Sequence, residues 1–257
     1  MQLQLQQVRT LGSAPSKKLF VTYAQSPEDV KEAQRLRYRV FAEEMGARLS
    51  GNEEGLDQDI YDPFCEHLLV RDADTGEVVG TYRILPPEQA KKIGGYYSAS
   101  EFDLTRLLHL SPRMVEVGRS CVHPDYRSGA AISLLWSGLA KYMLSRGHEY
   151  LMGCASVSMA DGGHAAAGLY NYLKIDNMSP IELRVFSRCP LPLDKLNGDS
   201  SAPAHLPPLL KGYLQAGAYI CGDPAWDPDF NTADFLVLLP MSKVNRRYAR
   251  HFLGATA

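Results

Sequence analysis

The spacing of apolar positions changes period repeatedly along the chain. Between Ser26 and Gly46, the residues Val30, Ala33, Leu36, Val40 and Phe41 recur at helical spacing. Pro27 stands in the first turn, acids come early and basic residues late, so the segment predicts a helix capped by Ser26 and stopped by Gly46. Arg35, Arg37 and Arg39 cannot all share one face of that helix. An acidic connector, NEEGLDQDIYDPFCE, leads into HLLVRDADTGEVVGTYRIL, where two apolar runs flank a turn at Asp72 to Gly76. This predicts an antiparallel hairpin ending at Pro86. GGYYSASEFDLTRLLHL reads as an irregular loop entering a short helix. RMVEVGRSCV predicts a third core strand, SGAAISLLWSGLAKYMLSRG an amphipathic helix closed by Gly147, and YLMGCASVSM a fourth strand.

The order helix, hairpin, strand, helix, strand predicts a mixed α/β domain whose sheet is antiparallel first and parallel across the long helix. A Pro-rich stretch at about 189–208 reads as a loop, followed by a helix and a final strand, ADFLVLLP, that adds to the same sheet or lies across it. Residues 1–18 are polar and Gln-rich, which predicts a flexible tail. Residues 19–257 are then expected to form one domain, with a C-terminal extension from about 189.

At 45% hydrophobic residues the chain has ample material for a core, and a net charge of −2 gives no electrostatic case for nucleic-acid binding. Its apolar runs fall short of the roughly 20 residues that span a bilayer, and the N-terminus has no apolar stretch after a basic start, so a cytoplasmic protein is expected. The five cysteines show no C-x-x-C pair or metal-ligand spacing. Free, packed thiols are expected, and no metal.

Three constellations carry candidate chemistry. The first is the strand-to-helix turn with Arg127, Ser128, Gly129, Ala130 and Ala131, where helix N-terminal amides favour an anion such as a phosphate. The second is Asp57, Asp59 and Asp62 around Tyr61, which reads as a site for a metal or an amino group, or as a solvated loop. The third is Glu116 with Arg119, inside a strand that should be buried, joined by Arg83 from the hairpin. Buried charges are costly unless paired or used, and a separation of three puts Glu116 and Arg119 on opposite faces unless a bulge intervenes. A structural ion pair with Arg83 is the bland alternative.

Taken together, R-x-x-x-F at Arg37 to Phe41, D-x-Y-D at Asp59 to Asp62, G-x-x-R at Gly80 to Arg83 and E-x-x-R at Glu116 to Arg119 resemble the acyl-homoserine lactone synthases of the GNAT superfamily of N-acyltransferases. GRSCVHPDYR, YLMGCAS, DGGHAAA, PPLLKGYL, GAYICGDPAWDPDFNTADF and RYARHF extend the resemblance to the ornithine-acyl carrier protein N-acyltransferases, over about residues 28 to 252. The chain departs from the superfamily's coenzyme A loop, [QR]-x-x-G-x-[GA]: Gly129 comes one position early and Ala130 stands where glycine is usual.

The resemblance implies a GNAT fold, a mixed central sheet flanked by helices. It also implies transfer of a 3-hydroxyacyl group from acyl carrier protein to the α-amine of L-ornithine, forming lyso-ornithine lipid. The donor group is then the carrier's 4'-phosphopantetheine arm, with no permanently bound cofactor. By resemblance Glu116 deprotonates the amine, while Asp59 and Asp62 hold the cationic amino acid. Arg37, Arg83 and Arg119 order the acidic cluster or take the substrate carboxylate. Backbone groups of Ser120, Cys121 and Val122 hold the oxyanion and pantetheine, and Arg127 to Ala131 meet the phosphate. Phe41, Leu134 and Trp136 are candidate acyl-chain walls, although residues at helical spacing are more often plain core. Lys141, Arg146, Arg246, Arg247 and Arg250 are candidate contacts for the carrier protein, and the lipid product implies transient contact with the inner membrane. His164 is expected to cap the following helix. A different acceptor amino acid (glycine, lysine or glutamine), an acetyl-coenzyme A acetyltransferase and an inert acyl-binding module are the other readings.

Overall fold

The structure, a computed structural model, describes residues 18–49, 55–196 and 206–244. In chain order its first half comprises β1 (Leu19–Tyr23), α1 (Pro27–Tyr38), β2 (Glu66–Asp72), β3 (Val78–Leu85), α2 (Pro87–Ile93), β4 (Phe102–Asp103) and β5 (Met114–Val122). There follow α3 (Ala130–Ser145), β6 (Tyr150–Ser158), α4 (His164–Asp176), β7 (Phe186–Ser187), α5 (Pro208–Ala216), β8 (Tyr219–Ile220), β9 (Ala225–Asp227) and β10 (Thr232–Pro240). The main sheet runs β1-β2-β3-β5-β6-β10-β8, with β9 also on β10, and β4 and β7 form a small separate ladder. The hairpin is antiparallel and β5 lies parallel to β6, as the alternation of elements predicts. The C-terminal strand, whose place was open, extends this same sheet by pairing antiparallel with β6 along its whole length.

One face of the sheet packs on α3, α4 and α5 through Tyr82, Ile84, Val115, Val117, Leu135, Leu139 and Phe235. The other is covered by α1 through Ala33, Leu36 and Val40, and by α2 and the 3₁₀ segment Thr105–Arg113 through Ala90, Leu107 and Leu110. The predicted short helix is therefore 3₁₀, while α2, which the apolar pattern does not announce, starts on Pro87 and ends at Gly94 in the left-handed region.

Ser26 caps α1 in a capping box with Asp29. The helix does not run unchanged to Gly46: residues Arg39–Glu44 widen into a π turn, with Met45 N–H donating to Val40 O. That turn delivers Val40, Phe41 and Met45 to a cavity.

The feature that positions this cavity is a fork in the sheet. β5 and β6 pair only from Met114–Tyr150 to Glu116–Met152 and then part. Beyond Glu116, β5 keeps β3 on one side and has no ladder partner on β6. Gly153 sits at the crotch, where a β-carbon would collide with the Val117 carbonyl oxygen.

Candidate active site

The cavity in the fork has a volume of about 480 Å³. Glu116, Val117, Gly118, Arg119, Ser120, Cys121 and Val122 of β5 form one wall, and Cys154 and Ser156 of β6 the other. The two strands were legible as core elements, but their parting was not.

Glu116 and Arg119 reach this space together because β5 is bulged. Thr81 pairs with Cys121 and Arg83 with Gly118, so Tyr82 alone faces both Arg119 and Ser120. Arg119 takes a left-handed backbone conformation, φ 51°. The extra residue turns Arg119 to the face that carries Glu116 and Arg83.

Glu116 is 5% exposed. Its carboxylate accepts from Tyr97 N at 2.6 Å, Ser98 N at 2.8 Å and Ser98 Oγ at 2.5 Å, donors from the 3₁₀ turn Tyr97–Ser100. Burial raises its pKa, and the Ser98 hydroxyl, the two amides and the Arg83 charge only partly offset that rise. Arg83 does form a structural ion pair, but with Asp59 at 2.6 Å and Asp62 at 3.3 Å and not with Glu116.

The aspartates expected around Tyr61 are not a solvated loop. Asp57 and Asp62 are 2% and 6% exposed. Arg37, without solvent exposure, sits 2.9 Å from each, and Arg119 lies 3.4 Å from Asp57 and 3.5 Å from Asp59. Burial pushes the Asp62 carboxyl up, but the Arg37 and Arg83 charges outweigh it and hold the pKa below the usual range. Three arginines thus neutralise three aspartates. Of this network only Arg83 and Arg119 line the cavity, and Asp59 and Asp62, expected to hold a cationic amino acid, are paired with Arg37 and Arg83.

Arg119 also lies over the rings of Phe230 and Tyr97, 4.5 Å and 5.2 Å from their centroids. Phe41 packs edge-on to Phe230 and lines the cavity. Leu134 and Trp136 do not: Leu134 is half-buried against the core and Trp136 is buried in it, its ring tilted against Tyr213 with centroids 4.7 Å apart. Ile132, Tyr82 and Leu209 supply apolar wall in their place.

At the start of α3, Arg127 and Gly129 line the cavity, whereas Ser128 and Ala130 point to solvent and Ala131 is buried in the core. Arg127 holds Glu44 in a two-pronged ion pair at 2.6 Å and 2.7 Å. Lys141 and Arg146 lie about 18 Å and 25 Å from Gly129 along the axis of this 16-residue helix, and Arg146 pairs with Glu66. Arg246, Arg247 and Arg250 lie outside the described residues. At the start of α4 Asp161 accepts from Gly163 N and Ala165 N.

All five cysteines are free thiols. Burial pushes Cys121 up to about 12 and Cys154 well above the usual thiol range, which leaves neither poised as a nucleophile. Sequence spacing offered no metal-ligand set, yet the fold gathers Glu101, Cys154 and Asp234 with ligand atoms within 4.8 Å of one another. Asp227 and Asp234, which lie in the segment GAYICGDPAWDPDFNTADF but were given no role, line the same cavity as Glu116.

The acetyltransferase (GNAT) domain family matches residues 36–137. An L-ornithine N(alpha)-acyltransferase of Brucella abortus is 39% identical over 254 residues, covering 93% of this chain and 90% of that protein. One of Rhizobium meliloti is 36% identical, covering 91% and 83%. Among solved structures, the coenzyme A-dependent acyl-homoserine lactone synthase BjaI superposes with a TM-score of 0.54 at 16% identity, covering 93% of this chain and 92% of that one. That likeness extends to the fold.

Proposed function

Because this chain belongs to the L-ornithine N(alpha)-acyltransferase family and is an acyltransferase of GNAT fold, we propose that it acylates the α-amine of L-ornithine. The acyl donor is a 3-hydroxyacyl thioester of acyl carrier protein, and the product is lyso-ornithine lipid. The observation that carries this reading is the placement of a buried, amide-bound carboxylate, Glu116, in the fork between β5 and β6.

The reaction needs no enzyme nucleophile. The free amine attacks the thioester carbonyl, the N–C bond forms, the C–S bond breaks and the pantetheine leaves as its thiol. Glu116 removes the ammonium proton that would block attack, a task served by a carboxylate whose pKa burial has raised. The backbone of Ser120 to Val122, with no ladder partner on β6, supports the pantetheine and the developing oxyanion. Arg83 and Arg119 present positive charge to the amino-acid carboxylate from a platform that Asp57, Asp59 and Asp62 keep rigid. Phe41 with Phe230, Ile132 and Leu209 supplies apolar wall for the acyl chain.

The phosphate of the arm meets Arg127 and Gly129 at the head of α3. One glycine and one arginine, the latter already shared with Glu44, suit a single phosphodiester better than a pyrophosphate. Among the described residues no helix is long and apolar enough to cross a membrane, so contact with the inner membrane, where the lipid product belongs, is peripheral in this reading.

The test is to incubate the protein with 3-hydroxyacyl-acyl carrier protein and single amino acids, following released pantetheine thiol and product mass. Thiol release that requires ornithine, with an amide of matching mass, is the expected result. Turnover with acyl-coenzyme A and not with the carrier protein would overturn the donor assignment.

A further inference from the structure

Two groups of carboxylates meet in this half of the molecule, and they differ in one respect. Asp57, Asp59 and Asp62 are each matched by arginine. Among the described residues, no lysine, arginine or histidine forms an ion pair with Glu101, Asp227 or Asp234. Asp234 is only 5% exposed and, with Asp227, lines the cavity. Glu101 Oε1 is sealed from solvent and meets no hydrogen-bond donor.

Uncompensated negative charge in a buried place is expensive, and an acceptor oxygen without a donor adds to the cost. Burial first, then the nearby Asp234 and Asp227, push Glu101 up to about 9, so the group takes up a proton in place of the missing cation. The cluster is also tied to the base. Ser98 Oγ bonds Glu116 and lies 3.4 Å from Cys154 Sγ, which lies 3.5 Å from Glu101 Oε2. Two bridging side chains therefore separate the carboxylate that faces the reacting amine from one that has no cationic partner.

We propose that Asp227 and Asp234 on the cavity wall, with Glu101 behind Asp234, form the subsite for the side-chain ammonium of the acceptor, and that they select a diamino acid over a neutral one. The subsite rests on the acceptor reading above and deepens it: Glu116 takes the proton of the α-amine, the arginine pair faces the carboxylate, and this cluster receives the second cationic end.

The experiment compares L-ornithine with L-norvaline, which has the same carbon skeleton without the terminal amine, as acceptors for wild type, Asp234→Asn, Glu101→Gln and Asp227→Asn. Circular dichroism checks folding of each, and calorimetry measures ornithine binding directly. Wild type should prefer ornithine in kcat/KM by about 100-fold or more, and Asp234→Asn should raise the ornithine KM about 10- to 100-fold with norvaline little changed. Asp227, the more exposed of the pair on the cavity wall, gives a variant that keeps the test open should Asp234→Asn fail to fold. Folded variants that keep the full preference would overturn the subsite, as would a stoichiometric bound zinc whose removal by chelator abolishes activity. Turnover of lysine in place of ornithine would correct the acceptor and uphold the cation subsite. Wild type that accepts ornithine and norvaline equally sinks the subsite alone; wild type that acylates only neutral amino acids sinks both readings.

Discussion

The Ser98 hydroxyl donates to Glu116 at 2.5 Å, and the Ser98 amide donates to the same carboxylate oxygen at 2.8 Å. Both bonds favour the ionised form, against burial that disfavours it. Replacing Glu116 by glutamine keeps the shape and removes the base. Turnover should fall about 10²- to 10⁴-fold while the thermal transition stays in place.

The pH profile follows from the same balance. Glu116 acts as its carboxylate, so kcat/KM should rise with pH through a midpoint above the ordinary glutamate value of about 4.3. In Ser98→Ala one donor to the charged form is lost, the pKa climbs further, and the ascending limb should move to higher pH. A limb that does not move would sever Glu116 from the rate.

Arg37 has no solvent exposure and holds both Asp57 and Asp62. Arg37→Met strands two buried carboxylates and should cost about 3–5 kcal/mol, lowering the melting temperature by roughly 10 °C. Adding Asp62→Asn should recover part of that loss, a non-additivity that calorimetry of the single and double variants would reveal.

Glu101 predicts an opposite effect on stability. Its folded-state pKa of about 9 lies above the unfolded value, so the native state binds the extra proton between those limits and stability falls as pH rises through that window. Glu101→Gln removes the ionisable group. At pH 8 the variant should melt a few degrees above wild type, with the gap closing near pH 4.

Gly153→Ala puts a β-carbon against the Val117 carbonyl oxygen, a backbone atom that can yield only if the fork widens. The expected penalty is about 1–3 kcal/mol, together with an altered KM for the thioester donor and little change in that for the amino acid.

Much of the fold was legible because its strands and long helix carry clean apolar periods and recognisable stops at Ser26, Gly76 and Gly147. The residues of the arginine–aspartate network were legible as motifs, yet their state was not: spacing could not show that Asp59 and Asp62 spend their charge on Arg37 and Arg83. Leu134 and Trp136 stayed open between core and acyl wall because an apolar helical stripe looks the same whether it meets core or substrate. Cys154, Asp227 and Asp234 fell inside segments noted for their resemblance, but nothing local assigned them a role or linked them to Glu101, since strand order sets β6, β9 and β10 side by side and the segment before β4 brings Glu101 to them. The fork was hidden for a related reason, because where two parallel strands stop pairing is decided by neighbours and not by their own residues.

The bulge at Arg119 and Ser120 changes the parity of β5. In a strand every second side chain shares a face, so one added residue reverses the assignment for everything on one side of it. Upstream of the bulge the even-numbered Glu116 shares the α1 side of the sheet, and downstream the odd-numbered Cys121 does. Removing Ser120 would restore regular alternation and force a choice: either Arg119 leaves its aspartates or Glu116 leaves the cavity. The left-handed backbone at Arg119, costing about 1–3 kcal/mol, is the local strain that lets one strand serve both.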